Sequence, residues 1–378
     1  MREMQRAGID VVEFAGGDPD FPTPMHIVDA AYEAMRAGDT HYVASRGIPE
    51  LRDALAAKLL RDNGLRYDPA REILVTPSGK HALFCATMAL LDAGDEAIIL
   101  DPSWVTYEAC VRLAGATPVS VPLTVDDNFR ITPDKLERAA SPRTKLLIVN
   151  SPNNPTGRVL DGDELQAVAA FAQEHNLVVV ADEMYEKIMY DGRQHVSLAT
   201  LPGMRERTLT LNGFSKAYAM TGWRLGYIAG PADMIGEMLK VHEQSVSCAT
   251  SFVQRGGLAA LAGPQDCVAA MAAEYRARRD LIVNGLNRLP GVRCHLPEGA
   301  FYAFPDIRGT GMPSAAFAEF AISEAHVALT SGDAFGACGE GHVRLSFATS
   351  RERVVEGLER LARALAKLRV ALGQPAVG

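Results

Sequence analysis

The sequence predicts an α/β protein: a large domain on a mostly parallel seven-stranded sheet flanked by helices, plus a smaller α+β domain. Three observations carry this expectation. Seven short apolar runs lie between residues 72 and 230, each closed by Gly, Pro, Asp or Asn. Runs of that length, rich in β-branched residues, read as strands buried on both faces. Segments with helical apolar spacing lie between some of them, and alternation of strand and helix builds a parallel sheet covered on both sides. Past about residue 270 the pattern changes to helices mixed with isolated strands. A chain of 378 residues exceeds one ordinary domain. The expected division is 22–280 for the large domain and 1–21 plus 281–378 for the small one.

The elements follow in order. The stretch before "GGDPDFPTP" is expected to join the small domain, and the Pro-rich passage 19–24 reads as a connecting loop. The strands are "EILVTP" (72–77), "EAIIL" (96–100), "TPVSVPL" (117–123), "KLLIVNSP" (145–152), "NLVVVADE" (176–183), "TLTLNG" (208–213) and "GYIAG" (226–230). "KHALFCATMALLDAG" (80–94) repeats apolar residues at helical spacing and stops at a glycine. "DGDELQAVAAFAQEHN" (161–176) is amphipathic, with acidic residues in its first turn where the helix dipole favours them. "AAEYRARRDLIVNGLNRL" (272–289) reads as a long helix whose basic run forms a solvated face. A strand-like "GAFYAFPDI", a helix near 314–326, the strand "HVRLSFATS" and a terminal helix over 351–371 complete the chain.

Composition narrows the function. Hydrophobic residues make up 48%, enough for a substantial core, and the net charge of −8 disfavours nucleic acid as the main partner. Six cysteines are scattered without a CxxC pair, as in a protein with reduced thiols. The start, "MREMQRAGIDVVEF", lacks the apolar run of a signal peptide. No stretch approaches the ~20 apolar residues of a membrane span. A soluble cytoplasmic protein is expected, with no membrane partner and no metal.

Ligands of a doubly wound sheet bind beyond the carboxyl ends of its strands. "TPSGK" runs there from strand to helix, a turn able to offer backbone N–H groups to an anion, or simply a helix cap. It is neither a P-loop nor a dinucleotide fingerprint. Asp182 ends "VVVAD", where a buried carboxylate needs a partner: a helix terminus, a cation or a ligand's ring nitrogen. Tyr185, three residues on, could aim its hydroxyl at the same place or simply serve packing. Lys216 and Arg224 stand in "GFSKAYAMTGWRLG", a segment that reads as half-buried and offers neither a local carboxylate. A desolvated lysine gains nucleophilic amine, and an arginine grips an oxyanion through two parallel bonds. Arg344 in "HVRLSFA" has the same capacity. One lysine for a Schiff base, one carboxylate for a pyridinium nitrogen, one anion-binding turn and two arginines together suit pyridoxal phosphate.

With these residues in place the chain resembles the pyridoxal-phosphate-dependent aminotransferases of fold type I, class I, in the branch of prokaryotic aspartate aminotransferases. "SPNNPTG", "ADEMYE", "SKAYAMTGWRLGY" and "GHVRLSFATS" carry the resemblance, which spans nearly the whole chain. It implies that Lys216 holds the cofactor and shuttles the proton, and that Asp182 binds the ring nitrogen. Tyr185 and Asn154 would bond the phenolic oxygen, and Trp104 would stack on the ring. Ser78, Gly79, Lys80, Ser215 and Arg224 would hold the phosphate, joined by Tyr42 from the partner of a homodimer. Arg344, with Gly17 nearby, would bind the substrate α-carboxylate.

The resemblance also implies an activity: transfer of an amino group between an L-amino acid and a 2-oxo acid. Glutamate/2-oxoglutarate or aspartate is the expected pair, since the lysine matching Lys80 can hold a distal carboxylate. Several departures bear on the substrate. His41 stands where many relatives carry lysine, Gly213 where others carry serine, and the N-terminal arm of the family is largely absent. Alternatives are a lyase on the same scaffold and an aminotransferase for basic or aromatic amino acids.

Overall fold

The seven apolar runs meet in one sheet, as the sequence predicts. The structure is a computed structural model that describes residue 4 and residues 6–371. Its strands are β1 (Val12–Glu13), β2 (Ile73–Thr76), β3 (Glu96–Asp101), β4 (Thr117–Pro122), β5 (Thr144–Asn150), β6 (Val178–Asp182), β7 (Thr208–Gly213), β8 (Gly226–Ala229), β9 (Tyr302–Ala303), β10 (Val327–Ala328), β11 (Thr330–Ser331) and β12 (Val343–Ser346). The helices are α1 (Met25–Arg36), α2 (Pro49–Asn63), α3 (Gly79–Leu90), α4 (Thr106–Leu113), α5 (Pro133–Glu137), α6 (Gly162–Glu174), α7 (Ala232–Val246), α8 (Ser251–Ala262), α9 (Asp266–Leu286), α10 (Ser314–Glu324) and α11 (Arg351–Ala371).

The large sheet has the order β2-β8-β7-β6-β5-β3-β4, parallel except for β8, which runs against both neighbours. Period-two alternation sorts its side chains. Ile98, Leu147 and Val179 join one core with α6, while Ile99, Ile148 and Val180 join the core that contains Leu83 of α3 and Ile235 of α7. Both faces are therefore covered, which is why these strands read as continuous apolar runs. The register places Asn150 opposite Asp182 and Asp182 opposite Leu211, so polar residues line up at one rim.

A separate core forms around Phe14, Phe301, Tyr302, Phe347 and Leu358. Small sheets serve it: β1 pairs with β10 in parallel, and β12 lies between β11 and β9. Residue 280 falls inside α9, whose Met271, Tyr275, Ile282 and Leu286 pack into this core.

Several local expectations shift. Helix α3 ends at Leu90 because Asp95 takes the N–H of Asp92 at 2.9 Å and turns the chain. Helix α9 begins earlier than its amphipathic pattern, since its first turns are alanine-rich and need no strong periodicity. Helices α1, α2, α7 and α8 lie outside the segments expected from spacing.

The basic run of α9 is a solvated face only at Arg276, whose side chain is 57% exposed. The side chains of Arg278 and Arg279 are 7% and 2% exposed. Arg278 pairs with Asp20 at 2.7 Å and Glu274 at 2.9 Å, and Arg279 with Asp191 at 2.6 Å. Their guanidinium groups also lie over the rings of Phe21 and Tyr190, at 5.1 and 4.8 Å. Burial becomes tolerable because each charge is paired, and the pairs come from distant segments.

A second buried pair lies behind the sheet's rim. Lys58 bonds Glu186, with side-chain exposures of 5% and 7%, and Asn63 donates to Glu186 at 2.7 Å. Replacing Lys58 by Ala strands a buried carboxylate, a change that costs about 3–5 kcal/mol. Urea unfolding at fixed protein concentration is expected to show that loss. A loss below about 1 kcal/mol would mean that Asn63 alone satisfies Glu186.

Candidate functional site

A cleft of about 320 Å³ opens where β5, β6 and β7 end, between the large sheet and Tyr302 of β9 and Arg344 of β12. Every residue given a cofactor or substrate role from the sequence lines it except Tyr42. Tyr42 is 87% exposed and contributes nothing to the cleft of its own chain.

Asp182 sits at the last position of β6, buried. Tyr107 donates its hydroxyl to Oδ2 at 2.7 Å, and the Met184 N–H reaches Oδ1 at 3.1 Å. Burial pushes the carboxyl up to about 6, and these two hydrogen bonds oppose that rise. Asn150 fixes the next strand end by donating to the Asp182 carbonyl at 3.0 Å and accepting the Asn154 N–H at 2.8 Å.

Lys216 follows the end of β7 and points inward. Its Nζ donates to the Gly17 carbonyl at 2.6 Å and lies 5.7 Å from the ring centre of Phe301. Desolvation brings the amine down to about 8. The Asp18 carboxylate works against that shift, while Arg344 and Arg224 add to it.

The strand-to-helix turn at "TPSGK" forms as a cap. Ser78 takes φ +112°, and its Oγ accepts the His81 N–H at 3.3 Å. The first N–H groups of a helix have no intrahelical acceptor, so this end of α3 offers donors to the cleft. Its position depends on a glycine. A Cβ at Gly226 would stand 2.4 Å from the backbone nitrogen of Gly79. Gly213 is less confined, its added Cβ meeting the Gly226 Cα and Leu225 carbonyl at 3.1 Å. The serine of some relatives would be crowded here.

The two arginines differ. Arg224 is exposed at the cleft mouth, with φ +55° and one bond from Nη1 to the Thr221 carbonyl at 2.6 Å. The expectation that it shares the half-buried state of Lys216 fails: Arg224 is exposed although the next residue, Leu225, is fully buried. Arg344 is the buried one, 8% exposed. It donates to Asn154 Oδ1 at 3.1 Å and the Ala15 carbonyl at 2.7 Å, and lies 4.5 Å from the ring centre of Tyr302. Its Nε has no hydrogen-bond partner, and no carboxylate pairs with it among the described residues. A buried guanidinium without an anion is costly unless a ligand supplies one.

Trp104 is half-buried, edge-on to Tyr107 at 5.6 Å, with the Lys80 ammonium 5.0 Å from its ring centre. Tyr185 exchanges a hydrogen bond with Tyr302 at 2.8 Å, and burial holds its hydroxyl protonated, well above the usual tyrosine range. Ser215 is buried beside Lys216, and Gly17 faces the Tyr302 hydroxyl.

Sequence reasoning missed Tyr107, Tyr302, Asn150 and Asp18. Tyr107 and Tyr302 sit in apolar patterns that mark packing, and only their partners reveal the polar ends. Asn150 carried a signal, since it closes β5 in the same position as Asp182 closes β6.

Residues 9–361 match the family model "Aminotransferase class I and II". The chain is similar to an aspartate aminotransferase of Musicola paradisiaca, 45% identical over all of this chain and 94% of that one. Among solved structures, the aromatic aminotransferase of Pyrococcus horikoshii OT3 superposes with a TM-score of 0.93 at 44% identity, covering 96% of both chains. The aspartate aminotransferase of Thermus thermophilus with maleate superposes with a TM-score of 0.91 at 44% identity, covering 96% of this chain and 94% of that one.

The desolvated amine leads to a pH prediction. In cofactor-free protein, acylation of Lys216 is expected to rise with pH through about 8 and level off above it, because the neutral amine dominates there. Exposed lysines keep rising towards ~10.4. Peptide-resolved labelling across a pH series reads both, and a Lys216 midpoint matching the exposed lysines would show that the cleft does not desolvate it.

Proposed function

The chain belongs to the class I and II aminotransferases, and within that family we propose that it takes a dicarboxylic amino acid, aspartate or glutamate, as one substrate. It is a pyridoxal-phosphate-dependent transaminase, acting on an amino acid and a 2-oxo acid. The observation that carries the substrate reading is a pair of cations at separate places in the cleft. Arg344 is buried without an anion, suited to an α-carboxylate, and Lys80 stands across the cleft against Trp104, suited to a second carboxylate. Relatives that carry the name aspartate aminotransferase support it.

The residues fit the cofactor. A buried carboxylate fixed by Tyr107 suits a protonated ring nitrogen, and a desolvated amine suits an aldehyde. Asp182 would hold the ring nitrogen, with Tyr185 and Asn154 at the phenolic oxygen and Trp104 on the ring face. The N–H groups of Ser78, Gly79 and Lys80, with Ser215 and Arg224, would hold the phosphate. When bound, pyridoxal phosphate supplies an aldehyde to carry the amino group and a ring that accepts the electrons of the broken Cα–H bond.

The chain's own residues do the rest. Arg344, held by Asn154 and the Ala15 carbonyl, grips the substrate carboxylate and turns the Cα–H towards Lys216. Lys216 Nζ removes that proton as a general base, and desolvation in the cleft, which brings the amine down to about 8, raises its neutral fraction. The Gly17 carbonyl anchors Nζ beforehand. Asp182 keeps its negative charge next to the developing charge only because Tyr107 and the Met184 N–H compensate its burial.

The exposed Tyr42 supports a homodimer in which each protomer lends this hydroxyl to its partner's phosphate site. Six free thiols suit a reducing compartment such as the cytoplasm. No helix among the described residues is long and apolar enough to cross a membrane.

Two experiments test this reading. Half-reactions with a panel of amino acids are expected to favour aspartate and glutamate, and Lys80→Ala to lower kcat/KM for those two by roughly 10–100-fold while sparing tyrosine and phenylalanine. Preference for the aromatic pair, unaffected by the substitution, would replace the dicarboxylate with an aromatic substrate. Hybrid dimers of Lys216→Ala and Tyr42→Ala protomers should recover one intact site per dimer. If Tyr42 serves its own chain instead, the hybrids stay as impaired as the parents.

A further inference from the structure

We propose that His81, Cys85 and His242 form a binding site for a borderline-soft divalent transition-metal ion such as zinc. None of the three lines the cleft, and the reading is independent of the aminotransferase chemistry. His81 and Cys85 lie one turn apart on α3, on the face that packs against α7, and His242 comes from α7. His81 Nε2 is 3.3 Å from Cys85 Sγ, and the His81 and His242 ring centres are 5.3 Å apart at 61°. One ligand atom from each residue lies within 4.8 Å of the others. A tetrahedral zinc ion with bonds of ~2.0–2.3 Å separates its ligand atoms by roughly 3.3–3.6 Å, so a small rotation closes the set. Ser245 Oγ, one turn after His242, is 3.3 Å from His81 Nε2 and stands where a fourth ligand or its water would sit.

A second observation points to an occupant. His242 is completely buried, yet neither ring nitrogen has a hydrogen-bond partner among the described residues. Buried polar atoms are rarely left so. The Ser45 backbone lies close enough to favour a proton on the ring without completing a good bond, which would leave the other nitrogen's lone pair for a metal. Burial, with His81 nearby, brings His242 down to about 4, and burial lowers His81, so both imidazoles are neutral ligands. The Cys85 thiol is pushed up to about 12 by burial, so binding exchanges its proton for the metal: the S–H bond breaks, the metal–sulfur bond forms, and one proton leaves to solvent. The ion would tie α7 to α3, the helix whose first turn carries Ser78 and Gly79.

Titration of the holoenzyme with Zn²⁺ by calorimetry, and with Co²⁺ by absorption, tests this. One ion per chain is expected, with a thiolate-to-cobalt charge-transfer band and visible bands of tetrahedral intensity. Cys85→Ser should abolish the band, and His242→Gln should weaken binding beyond the ~10–100-fold cost of losing an outer-shell partner. A triple variant, Cys248→Ser, Cys267→Ser and Cys338→Ser, should keep the band and guards against variants that misfold at the buried positions. Absence of the band in the wild type, its loss in the triple variant, or its survival in folded Cys85→Ser overturns the proposal.

Discussion

The site is governed by an imbalance of buried charge. Lys216 and Arg344 bring two cationic side chains into one cleft, and the buried carboxylate there, Asp182, is already bonded to Tyr107 and the Met184 N–H. Isolated ions lose several kcal/mol of solvation on burial even after the protein relaxes. Lys216 relieves part of this by shedding proton affinity, which an arginine cannot do. What remains is a cleft that favours an anion bearing an aldehyde or a carboxylate, and that preference underlies both cofactor and substrate binding.

The fold delivers this imbalance through register and close packing. Parallel strands β5 and β6 end together, which sets Asn150 beside Asp182 and lets the asparagine hold both the strand end and the Asn154 loop. The antiparallel strand β8 then brings Gly226 against the Ser78–Gly79 turn, at a distance that no side chain would tolerate. The donors of α3 are thus placed in part by direct backbone packing, with the side chains of Met184 and Leu211 also against Gly79. Arg344 arrives from β12 in the other core, so its end of the cleft is built by a different set of elements from the strand ends that carry Asp182 and precede Lys216.

The strands and the polar residues closing them were legible because a parallel sheet covered on both faces leaves continuous apolar runs, and because its ligands gather at one rim. "VVVAD" announces a buried carboxylate in five letters. The partners of those residues were not legible. Tyr107 and Tyr302 occupy packing positions, and nothing in a one-dimensional pattern separates a tyrosine whose hydroxyl meets Asp182 from one that fills space. Arg224 shows the opposite failure: its neighbours are apolar, yet with φ +55° it is exposed while the chain runs on into buried Leu225. Backbone direction at a single residue lies beyond what hydrophobic spacing encodes.

The arginines sharpen this point. Arg278, Arg279 and Arg344 are all buried, yet the first two look like surface charge in sequence and the third like a core-strand anomaly. Their difference is the acid they meet. Arg278 and Arg279 find Asp20 and Asp191, contributed by segments far away in the chain, and so serve as internal ties between loops and α9. Arg344 meets an amide, a carbonyl and two aromatic rings, none of which carries charge. A guanidinium surrounded by neutral acceptors is oriented without being neutralised. That separation of orientation from neutralisation would let it stay fixed while a carboxylate counter-ion is exchanged, which suits a transaminase, whose amino acid and 2-oxo acid each carry one.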